Sequence, residues 1–113
     1  MKLKEFEEEM IKNLRLYYYE TLGLPDWKRW AKARIDGVRG EIYIKELTQH
    51  VELSGKILLD VGSGWGEFLV SSGRRGAEIV GIDPDPNLLR LTKMRLELNG
   101  IQGHLCRAVG EYL

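Results

Sequence analysis

The stretch Ile57-Leu58-Leu59-Asp60-Val61-Gly62-Ser63-Gly64-Trp65-Gly66 decides the fold. Its first five residues form a near-continuous apolar run, the composition of a strand buried on both faces of a parallel sheet. The run ends in a loop with glycine at every second position. Glycines at 62, 64 and 66 let the backbone turn sharply and approach a ligand with no Cβ in the way. The turn then opens a short helix near Glu67–Ser72. The free N–H groups at a helix N-terminus suit a negatively charged or strongly accepting ligand group.

Toward the C-terminus, Ala77–Ile82 reads as a second strand. Asp85 and Pro86 make an N-cap and first-turn pair for a helix that stops at Asn99-Gly100. Leu88, Leu91, Met94 and Leu98, with Leu89 and Leu96 beside them, form its apolar face. His104–Val109 reads as a third, shorter strand. The order β-α-β-α-β predicts a parallel sheet with right-handed crossovers and strands lying 3-2-1 in space. Asp83 closes the second strand, and an acid there can accept from both hydroxyls of an adenosine ribose.

Spacing separates the adenosine ligands. A dinucleotide fingerprint needs G-x-G-x-x-G, but the sixth position from Gly62 is Glu67, which disfavours an oxidoreductase. No Gly-Lys-Ser/Thr follows, so the P-loop pattern fails as well. What remains is D-x-G-x-G-x-G, beginning at Asp60. On KILLDVGSGWGEFL, then EIVGIDPDPNLLRL, then the weaker CRAVGEYL, residues 56–113 resemble the N-terminal half of a class I S-adenosylmethionine-dependent methyltransferase.

The resemblance implies an α/β, Rossmann-like parallel sheet, truncated to about three strands and preceded by N-terminal helices. It implies S-adenosylmethionine as cofactor, with S-adenosylhomocysteine as product. Asp60 would receive the cofactor's amino group, and Gly62, Ser63, Gly64 and Gly66 would line its path. Asp83 would hold the ribose hydroxyls and Pro84 the adenine face. Many relatives carry an aspartate at the end of the third strand, where this chain has Val109 and Gly110, so only backbone contacts to adenine are implied there. The acceptor half of the family lies past the third strand, so no catalytic residue is assigned. The resemblance therefore implies the cofactor-binding portion of an enzyme acting on an unidentified methyl acceptor, a small molecule in the first instance. The alternative is a non-catalytic S-adenosylmethionine-binding or partner-binding module.

The N-terminal part, residues 1–55, reads as a helical lid or packing segment ahead of the partial cofactor domain at 56–113. Leu3, Phe6, Met10, Leu14 and Tyr17 recur at helical spacing over residues 3–20. Gly23, Pro25 and Asp26 end that helix. Residues 27–40, WKRWAKARIDGVRG, carry five Lys/Arg against one Asp and read as a solvated turn whose tryptophans cap the core. A further helix is predicted over Glu41–Val51, with Ile42, Ile44 (or Tyr43), Leu47 and Val51 inward.

Composition bounds the rest. At 113 residues there is room for one domain. Seventeen Lys+Arg balance seventeen Asp+Glu, which argues against nucleic acid as partner. No apolar run reaches membrane-spanning length, and MKLKEFEEEM suits neither a signal nor a transit peptide, so a cytoplasmic protein is predicted. His50 and His104 lack metal-ligand spacing, and Cys106 reads as a buried strand residue in a reducing compartment. Strand 1 would have a neighbour on one side only, so its other edge predicts pairing with another chain, most simply a homodimer.

Overall fold

The computed structural model describes residues 2–109. The first helix, α1, spans Lys2–Leu14 and continues without a break as a π-helical segment, Arg15–Thr21. The inward stripe is Phe6, Met10, Leu14 and Tyr18, a spacing of four throughout. The wider i→i+5 turns carry that spacing of four on through Tyr18. Tyr17, expected inside, is half-exposed, and Leu3 is exposed as well.

The expected solvated turn after residue 27 is helical. Helix α2 covers Trp27–Asp36, and α3 follows at once over Val38–Leu47. Between them Gly37 takes a left-handed conformation, φ 73°, and its N–H closes α2 on the Ala33 and Arg34 carbonyls. The cations misled because only some face water. Lys28, Arg29 and Lys32 do, whereas Arg34 is buried. In α3, Gly40 and Ile44 face inward while Ile42 and Leu47 lie outside, as does Val51 beyond the helix.

The second half alternates as predicted. Strand β1 is Ile57–Val61, α4 is Glu67–Arg74, β2 is Glu78–Asp83, α5 is Pro86–Leu98 and β3 is Gly103–Arg107. The Asp85 carboxylate accepts from the Asn87 N–H and Pro86 opens the helix, so the sequence-level start signal works as an N-cap. All three strands are parallel, in spatial order β1-β2-β3, with Leu59 opposite Val80 and Gly81 opposite Leu105. Among the described residues this is an α/β, Rossmann-like arrangement, three strands wide.

Two apolar clusters hold it together, and each draws on both halves of the chain. Ile44 and Leu53 join Leu69, Val70, Ile79 and Leu96 under the sheet. Phe6, Met10, Leu14, Tyr18 and Ala31 pack around Leu91 of α5. Arg95 pins α2 to α5 by donating to the Ile35 and Arg34 carbonyls at 3.1 and 2.6 Å. Burial pulls the Arg95 guanidinium down to about 10.

Strand β1 corrects a second expectation. It is not buried on both faces: Ile57, Leu59 and Val61 are 71%, 53% and 51% exposed. Helices α4 and α5 both lie over the face carrying Leu58 and Ile79, which leaves alternate β1 side chains uncovered. Cys106, on that same uncovered face by register with Ile82 and Val61, is exposed rather than buried. Among the described residues no helix is long and apolar enough to cross a membrane.

Candidate functional site

The site forms where β1 and β2 end side by side. Asp60 pairs with Gly81 in register, and Asp83 lies two residues further on, so both carboxylates sit toward the carboxyl edge of the sheet. Successive residues alternate faces, which places Asp60 and Asp83 on the same one. The loop from Gly62 to Gly66 crosses above them. Its N–H groups are largely spoken for. Those of Gly62 and Ser63 donate to the Ile82 carbonyl at 2.7 and 3.0 Å, and that of Gly66 to the Ser63 carbonyl at 3.0 Å.

Asp83 is buried and organises its surroundings. Its Oδ2 accepts from the Gly64 N–H at 3.0 Å and its Oδ1 from the Asp85 N–H at 2.9 Å. A carboxylate offers about four lone-pair directions, so each oxygen keeps one for a ligand hydroxyl. Asp60 is half-buried, and its Oδ2 is buried with no hydrogen-bond partner. Burial, and then the nearby Asp83 charge, raise the Asp60 carboxyl above its ordinary value. An unsatisfied buried acceptor beside a second negative charge is a place that attracts a cationic donor.

The glycines divide into two kinds. A Cβ on Gly62 would meet nothing within 4 Å, and one on Gly64 only the Gly62 carbonyl at 3.9 Å. Their missing side chains leave open space above the sheet edge. Gly66 turns the other way, toward α5, where a Cβ would lie 2.8 Å from the Thr92 methyl. Ser63 also points inward, over Gly81, with its hydroxyl buried and unpartnered. Pro84 is exposed beside the site, and its carbonyl accepts from Arg107 Nε at 3.1 Å. Val109 is half-buried beyond β3, where the neighbouring Ala108 N–H donates to the Asp83 carbonyl at 3.3 Å. Gly110 lies outside the described residues.

Residues 59–110 match the methyltransferase domain family. Over this stretch the chain is similar to methyltransferases. A ribosomal protein L11 methyltransferase of Vibrio campbellii is 36% identical over 61 residues, covering 53% of this chain and 21% of that protein. A ubiquinone biosynthesis O-methyltransferase of Stutzerimonas stutzeri is 25% identical over 84 residues, covering 74% of this chain and 36% of that one. The chain thus spans about a fifth of the length of the L11 methyltransferases it resembles.

Among solved structures, the 16S rRNA N2 G1207 methyltransferase RsmC of T. thermophilus, in complex with AdoMet and guanosine, aligns with a TM-score of 0.56 and 26% identity. That match covers 72% of this chain and 21% of RsmC. Magnesium protoporphyrin IX methyltransferase of Synechocystis, with bound SAH, aligns over 88% of this chain and 51% of its own with a TM-score of 0.59. At 17% identity it speaks for the fold.

Three features of the site and its surroundings escaped the sequence reading. One is a cleft of about 490 Å³ walled by Tyr17 and Tyr18 of the π-helical segment, Trp65 of the glycine loop, Arg39, and Asp85 and Asn87 before and within α5. Another is the ion pair cluster at Glu67, whose buried carboxylate lies 3.3 Å from Arg34 Nε and 3.2 Å from an Arg39 terminal nitrogen. Gly40 of α3 packs directly on the Glu67 backbone, so the N-terminal helices are locked onto the end of the loop. The third is Thr92, a polar residue in the buried row of α5.

Proposed function

We propose that this chain is the cofactor-binding portion of an S-adenosylmethionine-dependent methyltransferase. One observation carries the reading: Asp60, with an unsatisfied buried oxygen, and Asp83, with two lone pairs to spare, flank open space left by Gly62 and Gly64. The donor set fits the cofactor. Asp60 would take the ammonium of the methionine part, and Asp83 the two ribose hydroxyls. Gly62 and Gly64 would let the ligand lie against the backbone, with Pro84 and Val109 toward the adenine. When bound, the cofactor supplies an electrophilic methyl group on a sulfonium. The chain's own residues bind and orient it, which is the larger part of an in-line transfer.

A small-molecule acceptor is the reading the cleft favours. Its volume of about 490 Å³ falls within the range of small-ligand pockets, and its walls combine aromatic rings with one guanidinium. A nucleic-acid acceptor is less well served. Three of the outward cations of the N-terminal segment are matched locally, Arg15 by Glu20, Arg29 by Asp26 and Lys32 by Asp36. The exposed, unpaired Cys106 suits a reducing compartment, the cytoplasm. The open β1 edge supports self-association of this chain as a homodimer.

The test is calorimetric titration of the full chain with S-adenosylmethionine, S-adenosylhomocysteine and NAD. Binding of the first two with no measurable uptake of NAD is expected. Equal affinity for NAD overturns the reading.

A further inference from the structure

Thr92 is fully buried, yet it belongs to neither apolar cluster. Its two branches do separate things. The hydroxyl donates to the Gly64 carbonyl at 3.0 Å, across 28 residues of sequence. The methyl fills the space where a Gly66 side chain would stand. Gly64 is also the residue whose N–H is held by Asp83. The two peptide groups flanking the Gly64 Cα are therefore fixed from opposite directions, one by the end of β2 and the other by the middle of α5.

Both glycines have positive φ, 55° at Gly64 and 82° at Gly66. A glycine in that region is conformationally free in the unfolded loop and needs an outside restraint to stay in one shape. Helix α5 is rigid at this point, with Leu91, Thr92, Arg95 and Leu96 all buried. We propose that Thr92 is a positioning residue: its hydroxyl, not its bulk, sets the shape of the glycine loop that receives the cofactor. The inference rests on the cofactor reading above for its functional consequence, and on the loop geometry alone for the restraint itself.

Volume and hydrogen bonding can be separated at this position. Thr92→Val keeps the branched shape and removes the donor. Thr92→Ser keeps the donor and removes the methyl. Thr92→Ala removes both. A purely structural role makes binding follow the melting temperature in all three. A positioning role crosses them.

Two readouts on the full chain decide it: calorimetric affinity for S-adenosylmethionine, measured well below each variant's melting temperature, and amide hydrogen exchange at residues 64–67 in the absence of ligand. Thr92→Ser is expected to melt lower yet bind within about threefold of wild type, with wild-type exchange at the loop. Thr92→Val is expected to bind about tenfold more weakly, with faster exchange at 64–67. If Thr92→Val does not fold, Thr92→Ser against Thr92→Ala gives the same comparison, with Ala the weak binder. Equal affinity and exchange in the hydroxyl-bearing and hydroxyl-free variants overturns the proposal. A wild-type chain that takes up no S-adenosylmethionine, with loop exchange still following the hydroxyl, sinks the cofactor reading and leaves the restraint standing.

Discussion

Asp83 holds Gly64 across 19 residues of sequence: its Oδ2 accepts the Gly64 N–H at 3.0 Å, while Oδ1 accepts the Asp85 N–H at 2.9 Å. One carboxylate thus ties the glycine loop to the turn that starts α5. It also faces the space above the sheet edge. Organising the loop and meeting a ribose are two uses of the same four lone-pair directions.

Asp83→Asn separates them poorly by design, because an amide has one acceptor oxygen for two backbone donors. It is expected to cost about 1–3 kcal/mol of stability for the N–H left unpaired. Affinity for S-adenosylmethionine should fall roughly 10–150-fold, and Asp83→Ala should do at least as much. Titration alongside thermal melting checks both. Unchanged affinity in the folded variant would remove Asp83 from the ligand site.

Gly62 and Gly66 should respond differently to alanine. Both have positive φ, 79° and 82°, so each pays a handedness cost of about 1–2 kcal/mol. At Gly62 nothing stands within 4 Å, and the added methyl enters the ligand's space. Gly62→Ala should fold and bind at least tenfold more weakly. At Gly66 the methyl meets Thr92, adding roughly 1–3 kcal/mol of overpacking. Gly66→Ala should therefore lose more stability than Gly62→Ala, as read from urea unfolding midpoints.

Asp60 predicts a pH limb. Its carboxyl is raised above 3.8 in the ligand-free protein, by burial first and the Asp83 charge second. A ligand ammonium favours the ionised form and brings it back down. Affinity should hold steady at neutral pH and weaken as pH falls through the raised value, where a proton must be released on binding. The stability sign is opposite. The ionised group is unfavourable in the folded state, and that cost fades as pH falls toward 3.8. Asp60→Asn should abolish the pH limb in binding, weaken affinity about tenfold at pH 7 and leave the melting temperature no lower.

Glu67 is the buried partner of Arg34 and Arg39, and removing it strands Arg34 in the interior. Breaking such a pair from one side costs roughly 3–5 kcal/mol, reduced here on the half-exposed Arg39 side. Glu67→Gln should unfold at markedly lower urea. A change below 1 kcal/mol would show that the N-terminal helices are held by Ile44 and the apolar clusters alone.

The strands, α4 and α5 were legible because their signals are local. Asp85-Pro86 is a cap wherever it occurs, and a run such as Ile57–Val61 prefers extended backbone whatever covers it. Burial was not local. Whether Leu59 is covered depends on which face α4 and α5 take, and both take the other one. The π-helical segment was hidden for a related reason, since three consecutive tyrosines offer an inward ring at either 17 or 18. Arg34 looked like part of a solvated basic turn, and Thr92 like a polar residue in a leucine-rich helix. Their partners, Glu67 and Gly64, stand 33 and 28 positions away, beyond the reach of any periodicity. The one available signal was position. Thr92 follows Leu91 and precedes Arg95 by three, in line with the row that faces the protein.

The uncovered face of β1 gives the last prediction. Ile57, Leu59 and Val61 present a row of branched apolar side chains to solvent, and β1 has a hydrogen-bonded neighbour, β2, on one side. The opposite edge offers backbone N–H and C=O groups that another strand can pair with. Lys56 is the charge nearest to blunting it, and it stands at the strand's start. Burying three such side chains against a second copy is favourable by roughly 1.5–3 kcal/mol each before the cost of association is subtracted. The full chain should therefore sediment as a dimer at micromolar concentration. Leu59→Lys places a charge in the centre of the row without touching the covered face, where Leu58 lies. It should shift the chain to monomer with an unchanged far-ultraviolet circular dichroism spectrum. A wild-type chain that sediments as a monomer would show that this surface does not drive self-association.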